Sequence, residues 1–419
     1  PLTLQQIQAN ILDDDTLLLE YALGGDRSYL FAVSKTEFTA YELPPRQEIE
    51  TATERYITAL QAENRNPLSE GTELAKMLLD PVAGKLKNQR LAIVADGKLN
   101  RLPFAALPWG AEKGASIEGA SIEGASIEGA SIEGASIEGA SIEGASIEGA
   151  SIEGASVAPL LANHEIINLS SASSLEAQRS QWAKRTPAPK AIAVLADPVF
   201  SPHDPRLSGD ASPPTAENPL LGLFRSGCSA FDRLPNTQKE AENILALVPD
   251  DQEFLALGFS ANRSQALNSN LSQYQILHLA THGCIDDNPL RSGLVFSLYD
   301  EKGKSQDGLL RLQDIYNLDL NAELVVLSAC QTGIGEAVSG EGVVGLTRGF
   351  MYAGAKRVVV SLWNVNDAAT ANLMSNYYEQ MLEDGLDAVS ALREAQLQMW
   401  KNREFPYKWA AFTIQGDWR

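Results

Sequence analysis

Cysteine is scarce in this chain: Cys228, Cys284 and Cys330 are the three present among 419 residues. So sparse and odd a set excludes a disulfide-stapled fold. It points to a reducing compartment where thiols stay free. No run of eighteen apolar residues appears, so there is no transmembrane candidate, and no secretory pattern opens the chain. The expected setting is cytoplasmic. Basic residues are in deficit as well: 33 Lys and Arg stand against 54 Asp and Glu, a formal net charge of −21. That balance argues against a nucleic-acid or anionic-membrane binder and suits attraction to basic segments of another protein. The first residue is Pro1 rather than Met, so a piece of a longer protein is expected.

What is present is a foldable chain. Hydrophobic residues make up 44%, enough for a sizeable core, and the length allows two or three domains. A short helix is expected over residues 1–12, then an antiparallel meander through "TLLLEYAL", "SYLFAVSK" and "EFTAYELP". Helical patterns follow at 45–62 and 74–79. "RLAIVADGKLNRLPFAAL" gives a buried strand and a turn. From Gly114 to Glu153 the sequence GASIE repeats eight times without an error. Two readings of this insertion stand: a pentapeptide-repeat coil with Ile facing inward, or a low-complexity surface insert. Neither gives it chemistry. "TPAPK" (186–190) reads as a linker, dividing the chain into 1–187, which carries the 114–153 insertion, and 188–419. Beyond it, near-continuous apolar strands alternate with helices, including one expected across "EGVVGLTRGFMYAGA". This is the pattern of a mostly parallel sheet covered on both faces. Such sheets present reactive groups at the C-terminal ends of their strands.

Two strands end in reactive side chains: "ILHLATHG" in His282 and "VVLSAC" in Cys330. If the strands are neighbours, the two groups converge. A nearby imidazolium lowers a thiol pKa from roughly 8.5 and yields thiolate at neutral pH. The same His can protonate a leaving amine. The Gly283 and Cys330 N–H groups could bind an oxyanion. His278 and His282 lie ~13 Å apart on a strand, too far to share one metal ion. His278, flanked by Leu277 and Leu279, reads as a hydrogen-bonded core residue. Cys284 and Cys228 read as packing or loop residues. No metal or organic cofactor is expected.

"HLATHG", then "LSACQTGIG", then "GEGVVGLTRGFMYAGAKRVVVSLWNVNDAAT" closely resemble the CHAT family. These are caspase-like domains associated with tetratricopeptide repeats, relatives of caspases and separase. "DRSYLFAVS", "DGKLNRLPFAAL", "HEIINLSSASSL" and "LADPVF" extend the resemblance over nearly the whole chain except the GASIE tract. It implies a caspase-like three-layer α/β/α sandwich with an N-terminal α+β subdomain. It also implies a bacterial cysteine endopeptidase with His282 as general base, Cys330 as nucleophile and Gly283 at the oxyanion. An upstream repeat region or a regulatory protein would recruit the protein substrate. The rivals are a catalytically silent interaction module and an acyltransferase or peptide ligase using the same thioester. In this clan the substrate pocket draws on strand ends, here near Asp197, Ser328, Trp363, Asn364 and Asp367. Separase has a similar Trp-Asp-Val-Thr-Asp stretch; this chain reads Trp363-Asn364-Val365-Asn366-Asp367. Asn in place of the first Asp cannot neutralise an arginine. Asp197 and Asp367 either supply that charge or merely cap a turn and a helix. No Arg or Lys stands at these places in the sequence, so cleavage after a basic or large uncharged residue is expected, not after Asp.

Overall fold

Strand and helix boundaries follow the hydrophobic pattern closely. The computed structural model describes residues 1–63, 65–87, 90–111, 157–207, 231–284, 292–328, 337–338, 342–343 and 345–419. In the first half, β1 (Thr16–Ala22), β2 (Ser28–Val33) and β3 (Phe38–Leu43) form the expected antiparallel meander. Helices α1 (Arg46–Leu60) and α2 (Leu68–Leu79) follow. Then come β4 (Arg90–Val94), β5 (Ile166–Leu169) and α3 (Ala172–Trp182). In the second half lie β6 (Lys190–Ala196), α4 (Pro235–Leu245), β7 (Glu253–Leu257) and β8 (Tyr274–Ala280). Three short strands follow: β9 (His282–Cys284), β10 (Gly293–Val295) and β11 (Leu309–Arg311). The chain ends with α5 (Leu312–Tyr316), β12 (Leu324–Leu327), α6 (Leu346–Tyr352), β13 (Arg357–Ser361), α7 (Asp367–Leu382), α8 (Ala388–Lys401) and β14 (Phe412–Gly416).

One eleven-stranded sheet runs through both halves in the order β3-β2-β1-β4-β5-β14-β13-β12-β8-β6-β7. Its second half is parallel except where β14 meets β13. The strands there are apolar on both faces because both are covered. Ile276, Ala280, Leu324 and Val326 belong to the core that includes Ile244, Leu373 and Tyr377 of α4 and α7. Leu277, Leu279, Val325 and Leu327 point the other way, into a second core with Ile315 of α5 and Phe350 of α6. Each fully buried Leu or Val contributes about 1.5–3 kcal/mol, so this alternation fixes the register of the central strands. A slip by one residue would exchange the faces. The result is the expected α/β/α layering.

Three expectations need correction. The helix expected across 341–355 is shorter: Leu346–Tyr352 is helical, and Gly342–Val343 instead pairs antiparallel with Ala337–Val338. Gly and β-branched Val resist the helix there. "QILHLATHG" is not one strand: β8 stops at Ala280, and His282 opens β9 in a separate sheet of three strands. Cys284 is disulfide-bonded, where a free thiol was expected.

The GASIE tract, and with it the pentapeptide-coil reading, lies outside the described residues. Its flanks do not. Pro108–Ala111 and Val157–Pro159 pair antiparallel, with Ala111 opposite Val157. The insertion therefore leaves and re-enters the domain at one point, as a hairpin loop does. Replacing 114–153 with a short Gly/Ser linker is expected to preserve the fold. Shortening the loop by about two doublings should raise stability by roughly 1 kcal/mol, read as a shift in denaturant midpoint at unchanged slope.

Candidate functional site

Four parallel strands bring their C-terminal residues to one edge of the sheet. The register sets Ala280 beside Ala196, Leu279 beside Leu327, and Leu327 beside Val360. The next residues are therefore neighbours: Asp197 after β6, Thr281-His282 after β8, Ser328 after β12, and Ser361 to Asp367 from β13 onward. Cys330, two residues beyond Ser328, lies outside the described residues.

The break between β8 and β9 positions His282. Thr281 is fully buried, and its hydroxyl donates to the Val295 carbonyl. This turns the chain out of the large sheet into β9, where Gly283 stands opposite Leu294. The imidazole then packs against two aromatic rings, Phe200 at 4.9 Å, edge-on, and Phe231 at 5.4 Å. Its Nε2 lies 2.7 Å from the carbonyl oxygen of Asp232. A carbonyl only accepts, so Nε2 carries the proton. In the neutral ring, Nδ1 then holds the free lone pair. Burial lowers the His282 pKa below its usual 6.5; the Asp232 carbonyl and the charges of Asp232 and Asp367 pull weakly the other way. The neutral, basic form dominates at pH 7. A standing imidazolium, the activating form expected from the residue types, is disfavoured by that burial.

Asp197 is buried, with a left-handed φ of 48° that Asp tolerates better than most residues. Its carboxylate is fully engaged. Arg233 donates from Nε to Oδ1 at 3.0 Å and from Nη2 to Oδ2 at 2.7 Å, and Arg206 donates from Nη1 to Oδ2 at 2.7 Å. Arg206 also forks onto Asp204, at 2.8 and 2.7 Å, and holds that carboxyl below the ordinary carboxylate range. Two guanidinium groups thus match two carboxylates beside the site, although the sequence places no Arg or Lys next to the pocket candidates. Both arrive from the segment between β6 and α4.

The other pocket candidates separate. Trp363 is 3% exposed and belongs to the main core. Its indole N–H donates to the Tyr407 carbonyl at 3.0 Å. Asn364 is exposed, and its carbonyl accepts from the Tyr407 hydroxyl at 2.7 Å. Asp367 opens α7, and its Oδ2 accepts the Asn236 backbone N–H at 2.9 Å and side-chain N–H at 2.8 Å. Ser328 is buried, and among the described residues its hydroxyl has no hydrogen-bond partner. Ser328 and Asp367 share the walls of a small hollow; Asp197, Trp363 and Asn364 do not line it. Sequence reasoning missed Phe200, Phe231, the Asp232 carbonyl, Arg206, Arg233 and Asn236. Phe200 closes the quoted "LADPVF", but the contacts of the others span 9 to 131 residues.

Beneath the site, His278 is a buried core residue, as its flanking leucines imply. Its Nδ1 is 3.0 Å from the Tyr378 hydroxyl on α7. Its Nε2 is 2.8 Å from Glu240 Oε1 on α4, a close contact not aligned as a hydrogen bond. Burial pushes the Tyr378 hydroxyl well above its usual range, so it stays protonated.

Comparison with known proteins adds three findings. The CHAT domain family matches residues 148–417, well over half of the chain. Tetratricopeptide repeat protein 28 of Mus musculus is 40% identical over 111 residues, 26% of this chain and 4% of that protein. The protein of the same name from Homo sapiens is 30% identical over 216 residues, 44% of this chain and 8% of that protein. The chain thus spans less than a tenth of these relatives. Among solved structures, the Saccharomyces cerevisiae separase–securin complex superposes with a TM-score of 0.51 at 11% identity, covering 99% of this chain and 31% of that one. At such identity the likeness is one of fold. Among the described residues no helix is long and apolar enough to cross a membrane.

Proposed function

Because the chain belongs to the CHAT domain family, we propose that it is a cysteine endopeptidase acting on protein substrates. His282 is the general base and Cys330 the nucleophile. The observation that carries this reading is the state of His282: at a strand end, neutral, with Nε2–H tied to the Asp232 carbonyl and Nδ1 left as the base. In the proposed reaction, Nδ1 takes the thiol proton as sulfur bonds to the peptide carbonyl carbon. The developing oxyanion is received by the Gly283 and Cys330 N–H groups. The imidazolium then returns its proton to the leaving amine, and an acyl-enzyme remains. A water that His282 deprotonates attacks the thioester, releasing the acid and the free thiol. A tetratricopeptide-repeat region, in the same polypeptide or in a regulatory protein, would deliver the substrate.

A second reading is a caspase-like module that binds protein without cleaving it. The comparisons carry this reading further than they carry turnover. The curated relatives are named for their repeats, and the likeness to separase is one of fold. A peptidyl acyloxymethyl ketone that alkylates activated thiols separates the two. Dithiothreitol is included because Cys284 is disulfide-bonded. The peptidase is expected to label at Cys330, with the label lost in Cys330→Ala. An unlabelled native protein would leave the binding module.

A further inference from the structure

Between the ends of β8 and β12 lies a hollow of about 20 Å³, walled by Thr237, Thr281, Ser328, Ser361, Asp367 and Thr370 among others. That is room for about one water-sized group. We propose that it receives the tip of the substrate side chain on the N-terminal side of the cleaved bond, and that it selects a small uncharged residue bearing a hydroxyl. The inference rests on the peptidase reading and deepens it.

Position comes first. Thr281 immediately precedes His282, and Ser328 precedes Cys330 by two residues, so the hollow lies between the strand ends that lead to base and nucleophile. Polarity comes second. Ser328 is 4% exposed, and its hydroxyl has no partner among the described residues. Buried polar groups left unmatched are rare and call for an explanation such as an external partner. Two neighbouring hydroxyls are already committed. Thr237 donates to the Leu234 carbonyl at 2.7 Å and accepts the Asp197 N–H at 3.0 Å, and Thr281 donates to Val295. Ser328 is therefore the group poised to bond an incoming hydroxyl.

Charge comes third. Asp367 is the carboxylate in the wall. Two Asn236 N–H groups hold its Oδ2, and it sits in the first turn of α7, where the helix dipole already favours a negative charge. Asp197 is consumed by its two arginines. A substrate guanidinium needs an open carboxylate fork and far more volume than the hollow provides. A substrate carboxylate would face Asp367. Both charges are disfavoured, which replaces the expectation of a basic or large residue with that of a small neutral one.

A positional peptide library, read as kcat/KM, tests this. Ser and Thr are expected to exceed Arg and Asp by about 10²-fold or more at the position before the cut. Ser328→Ala, which removes one atom at a strand end, should erase the advantage of Ser over Ala. Protection of Cys330 from the alkylating probe by peptide aldehydes ending in Ser, Ala, Arg or Asp should give the same ranking without turnover. Leading turnover or protection by Arg, Asp or a large aromatic residue would overturn the inference and leave the peptidase reading standing. So would an unchanged preference in Ser328→Ala. An absence of both cleavage and labelling at Cys330 would overturn the two together.

Discussion

His282→Ala is expected to lower kcat/KM for peptide cleavage by about 10²- to 10⁴-fold, the usual worth of a positioned general base. Cys330→Ala should fall at least as far, and the double variant hardly further, because the two groups act as one unit. His282→Ala should cost about 1 kcal/mol of stability, because the ring packs against Phe200 and Phe231 yet is only partly buried. The pH profile gives a sharper reading. The active form carries a neutral imidazole, and burial against Phe200 and Phe231 holds the His282 pKa below 6.5. As pH falls, the base is therefore lost later than an exposed histidine would lose it. The acid limb of kcat/KM should lie below pH 6.5, and Phe231→Ala, which admits water to the ring, should move it upward. A limb that stays put in Phe231→Ala would show that burial there does not set the titration.

The second large effect concerns stability. His278→Ala is expected to destabilise the fold by about 2–5 kcal/mol, because it opens a cavity in the core and takes the ring away from two buried polar groups. His278, Glu240 and Tyr378 are all without solvent exposure, and among the described residues neither Glu240 oxygen has a hydrogen-bond partner. Without the imidazole, Glu240 and the Tyr378 hydroxyl both lose the ring they face. A surface pair gives the contrast. Arg27 and Glu42 are 61% and 63% exposed and 3.6 Å apart, so Glu42→Ala should cost at most about 0.5 kcal/mol. Chemical denaturation of both variants beside the parent decides it, and comparable midpoints would refute the ranking.

Local chemistry made some features legible in the sequence and left others hidden. The apolar runs "AIAVLADP", "QILHLATHG" and "AELVVLSAC" announce strands buried on both faces, and their polar ends announce a C-terminal edge where chemistry can gather. His282 stands out for that reason. The break at Thr281 does not, because Ala-Thr-His continues the strand pattern; the buried bond from its hydroxyl to Val295 ends the strand, and tertiary contact decides it. Asp197 looks open in "LADPVF", yet two arginines nine and thirty-six residues later neutralise it. The Asp232 carbonyl that sets the His282 tautomer is a backbone atom, which no residue type betrays. Glycine and β-branched residues shorten the helix before Leu346, a local signal that the longer apolar pattern outweighed.

The place of β14 governs how the molecule can be made. β14, which follows every other strand of the sheet in chain order, sits in its middle, pairing Gln415 with Asn168 on one side and Phe412–Gly416 with Arg357–Ser361 on the other. Asp417, just beyond it, takes Arg179 of α3 at 3.0 and 2.5 Å. Until β14 is in place, β5 and β13 each present an open row of backbone donors and acceptors, a template for pairing with another chain. Closure of the sheet therefore waits on β14. A chain truncated before Phe412 loses its central seam and keeps two sticky edges.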